Sequence, residues 1–183
     1  MPKGLKTTSS PIQVSTSIQQ TADPLTTQFL SKRVDLQLNP LDNEVFVVTG
    51  VKIDFTNPCA RVDAATSPGD ANLVQRCSIS TTEQTTYAGI DSPSVIAASQ
   101  IDALENGTIG YYVVMETNSM DAPPASMDYL QIIATNDFFV NLDTSTLFTA
   151  GEILRANVRV YGYRATADSS TYAALVQSEL LSS

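Results

Sequence analysis

The sequence predicts an all-β domain, a sandwich of about eight antiparallel strands with one or two short helices. Three observations carry that expectation. Residues Glu152 to Ala165, EILRANVRVYGYRA, alternate with a period of two: Leu154, Ala156, Val158, Val160 and Gly162 are apolar or small, while Arg155, Asn157, Arg159, Tyr161 and Tyr163 are polar or amphipathic. A second long run, EVFVVTGVKIDF from Glu44 to Phe55, is expected to line one face with Val45, Val47, Val51, Ile53 and Phe55, and to form a bulge or a close backbone approach at Gly50. The other apolar runs are short and are separated by turn-forming residues.

β-Branched and aromatic residues fill the 152–165 run, and no proline interrupts it. Its polar face carries two arginines and two tyrosines, types enriched where proteins meet partners. Two arrangements fit this pattern: a central strand covered on its second face by another chain or sheet, and an ordinary sandwich strand with one solvated face.

Residues 1–28 are dominated by Ser, Thr and Gln, with Lys3 and Lys6 and no acidic residue before Asp23, so they read as a polar N-terminal arm. Within it, Ile12, Val14 and Ile18 are spaced to add a strand to a sheet edge, in the same subunit or in a neighbour's. The body is expected over 29–166. Val34, Leu36 and Leu38 predict a strand over 29–38, followed by a turn at Asn39–Asn43. Asn57-Pro58 opens an excursion loop to about Asn72, and VQRCSIST at 74–81 predicts a short strand. Ser92-Pro93 then resembles a helix cap and first turn, with Val95, Ile96, Ala98, Ile101 and Leu104 at roughly helical spacing and Gly107 as the stop. A strand apolar on both faces is expected at 109–116, a loop at Asp121–Pro124, and two short strands over 129–134 and 137–142, or one bent strand, with the bend at Asn136-Asp137. Asp168-Ser169-Ser170 caps a short helix within 167–183, with Tyr172, Leu175, Val176 and Leu180 on one face.

A chain of 183 residues with 43% hydrophobic content can bury one core. Its net charge of -9 opposes broad nucleic-acid affinity, which needs a surplus of Lys and Arg, and leaves at most weak contact through the arm. Histidine is absent, which removes the usual general base and metal ligand. Cys59 and Cys77 permit one bridge or two free thiols. The N-terminus lacks the apolar run of a signal peptide, and no stretch approaches the roughly 20 apolar residues of a membrane span.

No phosphate loop, nucleophile elbow, zinc spacing or calcium loop is present, so no catalytic, cofactor or metal residues are assigned and an enzyme is not expected. The carboxylate pairs Asp42/Glu44 and Asp137/Asp143 are read as solvated turn residues. Arg155, Arg159, Tyr161 and Tyr163 are the candidate subunit interface. Lys3, Lys6, Ile12, Val14 and Ile18 are candidate arm contacts.

About eight short strands, long loops, one or two small helices and no catalytic motif describe a jelly roll. With LKTTSSPIQVSTSIQQ as an arm and GEILRANVRVYGYRATA as a closing strand, the chain resembles the single jelly-roll coat proteins of icosahedral viruses. The arm departs from the strongly basic form that binds packaged genome. That resemblance implies a subunit that self-assembles into an icosahedral shell, localised to the virion, with copies of itself and other capsid proteins as partners. A minor capsid or cement protein fits as well. The rival expectation is a carbohydrate-binding, lectin-like module using Tyr87, Tyr111 or Tyr129 as stacking platforms.

Overall fold

The computed structural model describes residues 4–21, 28–56, 71–106, 111–117, 120–144 and 153–181. In chain order its elements are β1 (Leu5–Thr7), β2 (Ile12–Thr21), β3 (Gln28–Asp35), β4 (Glu44–Thr56), β5 (Ala71–Ser80), β6 (Val95–Asn106), β7 (Tyr111–Thr117), β8 (Met120–Asp121), β9 (Gln131–Ile133), β10 (Asp137–Thr144), β11 (Ile153–Ala167) and α1 (Ser169–Leu181). They form two antiparallel sheets. In the first, β11 lies between β4 on one side and β2 with β1 on the other, and β8 and β9 pair beyond β4. The second has the order β3-β10-β5-β6-β7.

Alternation along the strands makes one face of each sheet apolar, and the two apolar faces meet. Phe46, Val48, Val51, Ile53 and Phe55 of β4, with Ala156, Val158 and Val160 of β11, pack against Cys77, Ile79, Ala97, Ile101, Phe138, Val140 and Leu142 of the second sheet. Burying each large aliphatic or aromatic side chain here stabilises the fold by roughly 1.5–3 kcal/mol before chain entropy is subtracted.

β11 keeps its predicted phase along its whole length. β4 does not. Tyr161 pairs with Gly50 and Gly162 pairs with Val48, so Thr49 is an extra residue and the register slips there. The insertion reverses the side-chain phase of β4: Phe46 and Val48 face the inter-sheet core before it, and Val51, Ile53 and Phe55 face the same core after it. Val45 and Val47, expected on the same face as Val51, therefore point to the outer side of the sheet and join a second apolar cluster. Close packing at the slip requires glycine at 162, where a Cβ would sit 2.7 Å from Phe46 Cζ and collide with the Val47 carbonyl oxygen.

The outer cluster is roofed by α1. Asp168 caps the helix by accepting from the Thr171 N–H at 2.8 Å and the Ser170 hydroxyl at 2.7 Å. Tyr172, Leu175 and Val176 then pack over Val45, Val47, Ala165 and Ala167, with Leu5 and Tyr163 alongside. Leu180, expected on that face, is 65% exposed; the helical repeat from Tyr172 brings Glu179 round instead. Glu179 is only 5% exposed, and its carboxylate accepts from the N–H groups of Ala134 at 2.8 Å and Thr135 at 2.9 Å. It latches the end of the helix to the β9–β10 turn.

Replacing Glu179 with Ala strands those buried donors, and the expected cost is about 1–3 kcal/mol, read as a lower urea midpoint. Burial outweighs the N–H bonds and holds the Glu179 carboxyl above the ordinary carboxylate range. Its folded value is raised, so its share of stability is full below the unfolded-chain value of 4.5 and is lost as pH rises through the folded one. The stability gap between wild type and the Ala variant should accordingly narrow from acid toward neutral pH.

The predicted helix after Ser92-Pro93 is a strand. In β6, Ala97, Ser99 and Ile101 are buried while Ile96, Ala98, Gln100 and Asp102 are less so, a period of two. β6 pairs with β5 over Val95–Glu105 and with β7 over Gln100–Asn106, and this ladder pairing outweighs the weak helical spacing. The sequence from Ile12 to Thr21, expected in a polar arm, is a ten-residue strand on β11 of its own chain. Ile18 is 2% exposed within the core, with Ile12 and Val14 packed against it, so these three residues are engaged inside the subunit. Cys77 is a free thiol, and full burial pushes it up to about 12; Cys59 and the 57–70 loop lie outside the described residues.

Candidate subunit interface

α1 covers only the part of the first sheet's outer face that lies beyond the slip along β11, over Ala165 and Ala167 and the antiparallel Val45 and Val47 of β4. The part before the slip along β11 is left uncovered by the described residues, and the strand register arranges it in four cross-strand rows. Arg155 lies between Gln19 and Thr56, Asn157 between Ser17 and Asp54, Arg159 between Ser15 and Lys52, and Tyr161 between Gln13 and Gly50. Cross-strand neighbours on one face sit close enough for their side chains to interact.

Several of these side chains are held by neighbours in the same or the adjacent row. Arg155 donates through Nε at 3.1 Å and Nη2 at 2.5 Å to Gln19 Oε1, and Asn157 Nδ2 donates to Thr56 Oγ1 at 2.8 Å. Tyr161 lies over Gly50, where a Cβ would be 3.7 Å from the ring's Cδ2. The third row differs. Arg159 and Lys52 stand directly opposite each other, both exposed, with no ionic partner among the described residues. Like charges placed directly across a ladder are destabilising. Together with Ser15, Ser17, Asp54 and Asn157 they line a shallow depression of about 410 Å³.

Of the four predicted interface residues, Arg155, Arg159 and Tyr161 share this open surface. Tyr163 does not, because it lies beyond the slip in the cluster under α1, where burial raises its phenol. Lys6 sits apart on β1 opposite Thr166, and Lys3 is outside the described residues. Lys52, Ser15 and Ser17 were not singled out in the sequence. Lys52 alternates with Val51 and Ile53 and so was legible as outward-facing, but only the β4–β11 register puts it beside Arg159.

Other candidates from the sequence have partners within the chain. Asp137 pairs with Arg33 at 2.5 Å, Asp143 lies 3.9 Å from Arg76, and Glu44 lies 3.5 Å from Arg164. The Arg76 guanidinium sits 5.5 Å from the Tyr87 ring centre, on the second sheet. Tyr129 packs in the cluster under α1, on the first sheet, so these two proposed sugar platforms do not converge; the Tyr111 side chain lies outside the described residues. No helix among the described residues is long and apolar enough to cross a membrane.

Two facing antiparallel sheets with the orders β2-β11-β4-β8 and β3-β10-β5-β6-β7 are a jelly roll, the double-sheet architecture of viral capsid and lectin domains. Among solved structures the chain is similar to that of the "Merkel Cell Polyomavirus VP1 Unassembled Pentamer", with a TM-score of 0.52 and 7% identity over 90% of this chain and 99% of that one. Matches to turnip yellow mosaic virus (TM-score 0.26, 12% identity, 89% and 87% covered) and Desmodium yellow mottle tymovirus (0.24, 10%, 91% and 92%) were also found. No family model matches the sequence, and no curated protein matches it significantly.

Proposed function

We propose that this chain is a capsid subunit that self-assembles into an icosahedral viral shell, resides in the virion, and acts by association with copies of itself and other capsid proteins rather than by catalysis. The observation that carries this reading is the open half of the first sheet's outer face. An Arg-Tyr surface on a rigid central strand is the composition of an interface core. The jelly-roll fold supports it, as a scaffold that also serves other functions.

The test is the double variant Arg159→Ala with Tyr161→Ala. Particle yield by electron microscopy and light scattering should fall on the order of tenfold or more, while the thermal midpoint of the isolated subunit stays near wild type. Equal loss of both would place these residues in the fold rather than the contact. A strictly monomeric wild-type protein at high concentration, across salt and pH, would sink the shell reading and favour a binding module.

A further inference from the structure

The open face also indicates what kind of surface it meets, an inference that rests on the shell reading. On β2, β11 and β4 this face carries Lys52, Arg155 and Arg159 against a single acid, Asp54. The whole chain has 19 acidic and 10 basic residues and a net charge of -9, so everything outside this face is more negative than the total. Arg155 is tied to Gln19, but Lys52 and Arg159 oppose each other with no counter-ion among the described residues. The chain thus concentrates positive charge that finds no ion-pair partner among the described residues on the part of the first sheet's outer face that α1 leaves uncovered.

We infer that this face docks an acidic surface of a second copy of the chain, a surface different from itself, so that the contact is head-to-tail rather than twofold. A twofold contact would press the Lys52–Arg159 row of one copy toward that of the other. The two Asp54 carboxylates could not neutralise the six cations gathered there, and like-charge juxtaposition across an interface is strongly disfavoured. A head-to-tail contact supplies the missing counter-ions from the acidic remainder of the neighbour. Each copy then keeps one donor and one acceptor surface, the arrangement that closes into rings when the rotation allows.

Charge reversal and salt dependence separate the possibilities. Association of wild-type subunits, followed by analytical ultracentrifugation, should weaken about tenfold or more between roughly 50 mM and 500 mM NaCl, because screening removes an attraction. The variant Lys52→Glu with Arg159→Glu should not associate alone, yet when mixed with wild type it should cap growing oligomers through its intact acidic surface and lower their mean size. The neutral pair Lys52→Gln with Arg159→Gln should flatten the salt dependence and guards against a folding defect in the reversed variant. If salt strengthens association, or if the reversed variant joins wild type into larger and tighter assemblies, the contact is twofold and this inference is overturned while the shell reading stands. If wild-type subunits never associate, both fall together.

Discussion

Val158→Asp is expected to abolish soluble folding. Val158 is 2% exposed, pairs across the ladder with Ile53 and lies in the inter-sheet core among Val160, Ala156 and the apolar face of the second sheet. The buried residues that Val158 joins in that cluster are apolar and offer a carboxylate no cation. Burying an unpaired charge costs several kcal/mol even after the group shifts toward its neutral form, a large part of the roughly 5–15 kcal/mol that holds a domain together. The neighbouring Asn157→Ala change, on the opposite face, should stay within about 1 kcal/mol, since it removes one surface hydrogen bond to Thr56. Soluble yield and thermal midpoint decide between them: a near-wild-type Val158→Asp protein would mean that the phase of β11 is wrong.

Deleting residues 1–21 should be almost as damaging. Sequence reasoning places this segment in a polar arm of residues 1–28 whose removal would leave a folded body. In the structure its loss strips β11 of ten ladder positions, from Ile153 opposite Thr21 to Gly162 opposite Ile12. It also removes Ile18 from the core and uncovers the apolar atoms beneath Ile12 and Val14. The freed β11 edge would become a template for aberrant pairing. Cooperative urea unfolding should be lost, with aggregation in its place. A milder probe, Ile18→Ala, should cost about 2–4 kcal/mol, within the usual range for emptying a buried aliphatic site. A truncated chain that still unfolds cooperatively at wild-type denaturant concentration would return the segment to the status of an arm.

Both predictions bear on how much was legible beforehand. The alternation of β11 survives intact because a strand buried on one face must keep a period of two, and fifteen consecutive residues record it. The fold class follows from the same logic repeated in β3, β4, β5 and β10. The candidate surface was half legible: Arg155, Arg159 and Tyr161 point outward by phase alone. Tyr163 obeys that phase and is nevertheless covered, because α1 packs across the end of the sheet.

Composition and the period-two runs of β4 and β11 determined the all-β class, and the run of β11 determined which of its residues face the core, since those signals are local and repeat over many residues. Tertiary structure decided what no local signal carries. The slip at Thr49 sends Val45 and Val47 to the far side of the sheet because one inserted residue reverses every side chain beyond it. Ladder partners on both sides make a strand of β6, and the free flank of β11 recruits a Ser- and Thr-rich stretch that would not hold strand structure alone. Glu179 is buried because two backbone donors from the β9–β10 turn meet its carboxylate, and Lys52 comes to oppose Arg159 because the β4–β11 register places it there. Each of these depends on contacts between residues far apart in the chain, whose free energy exists only once the sheets have formed.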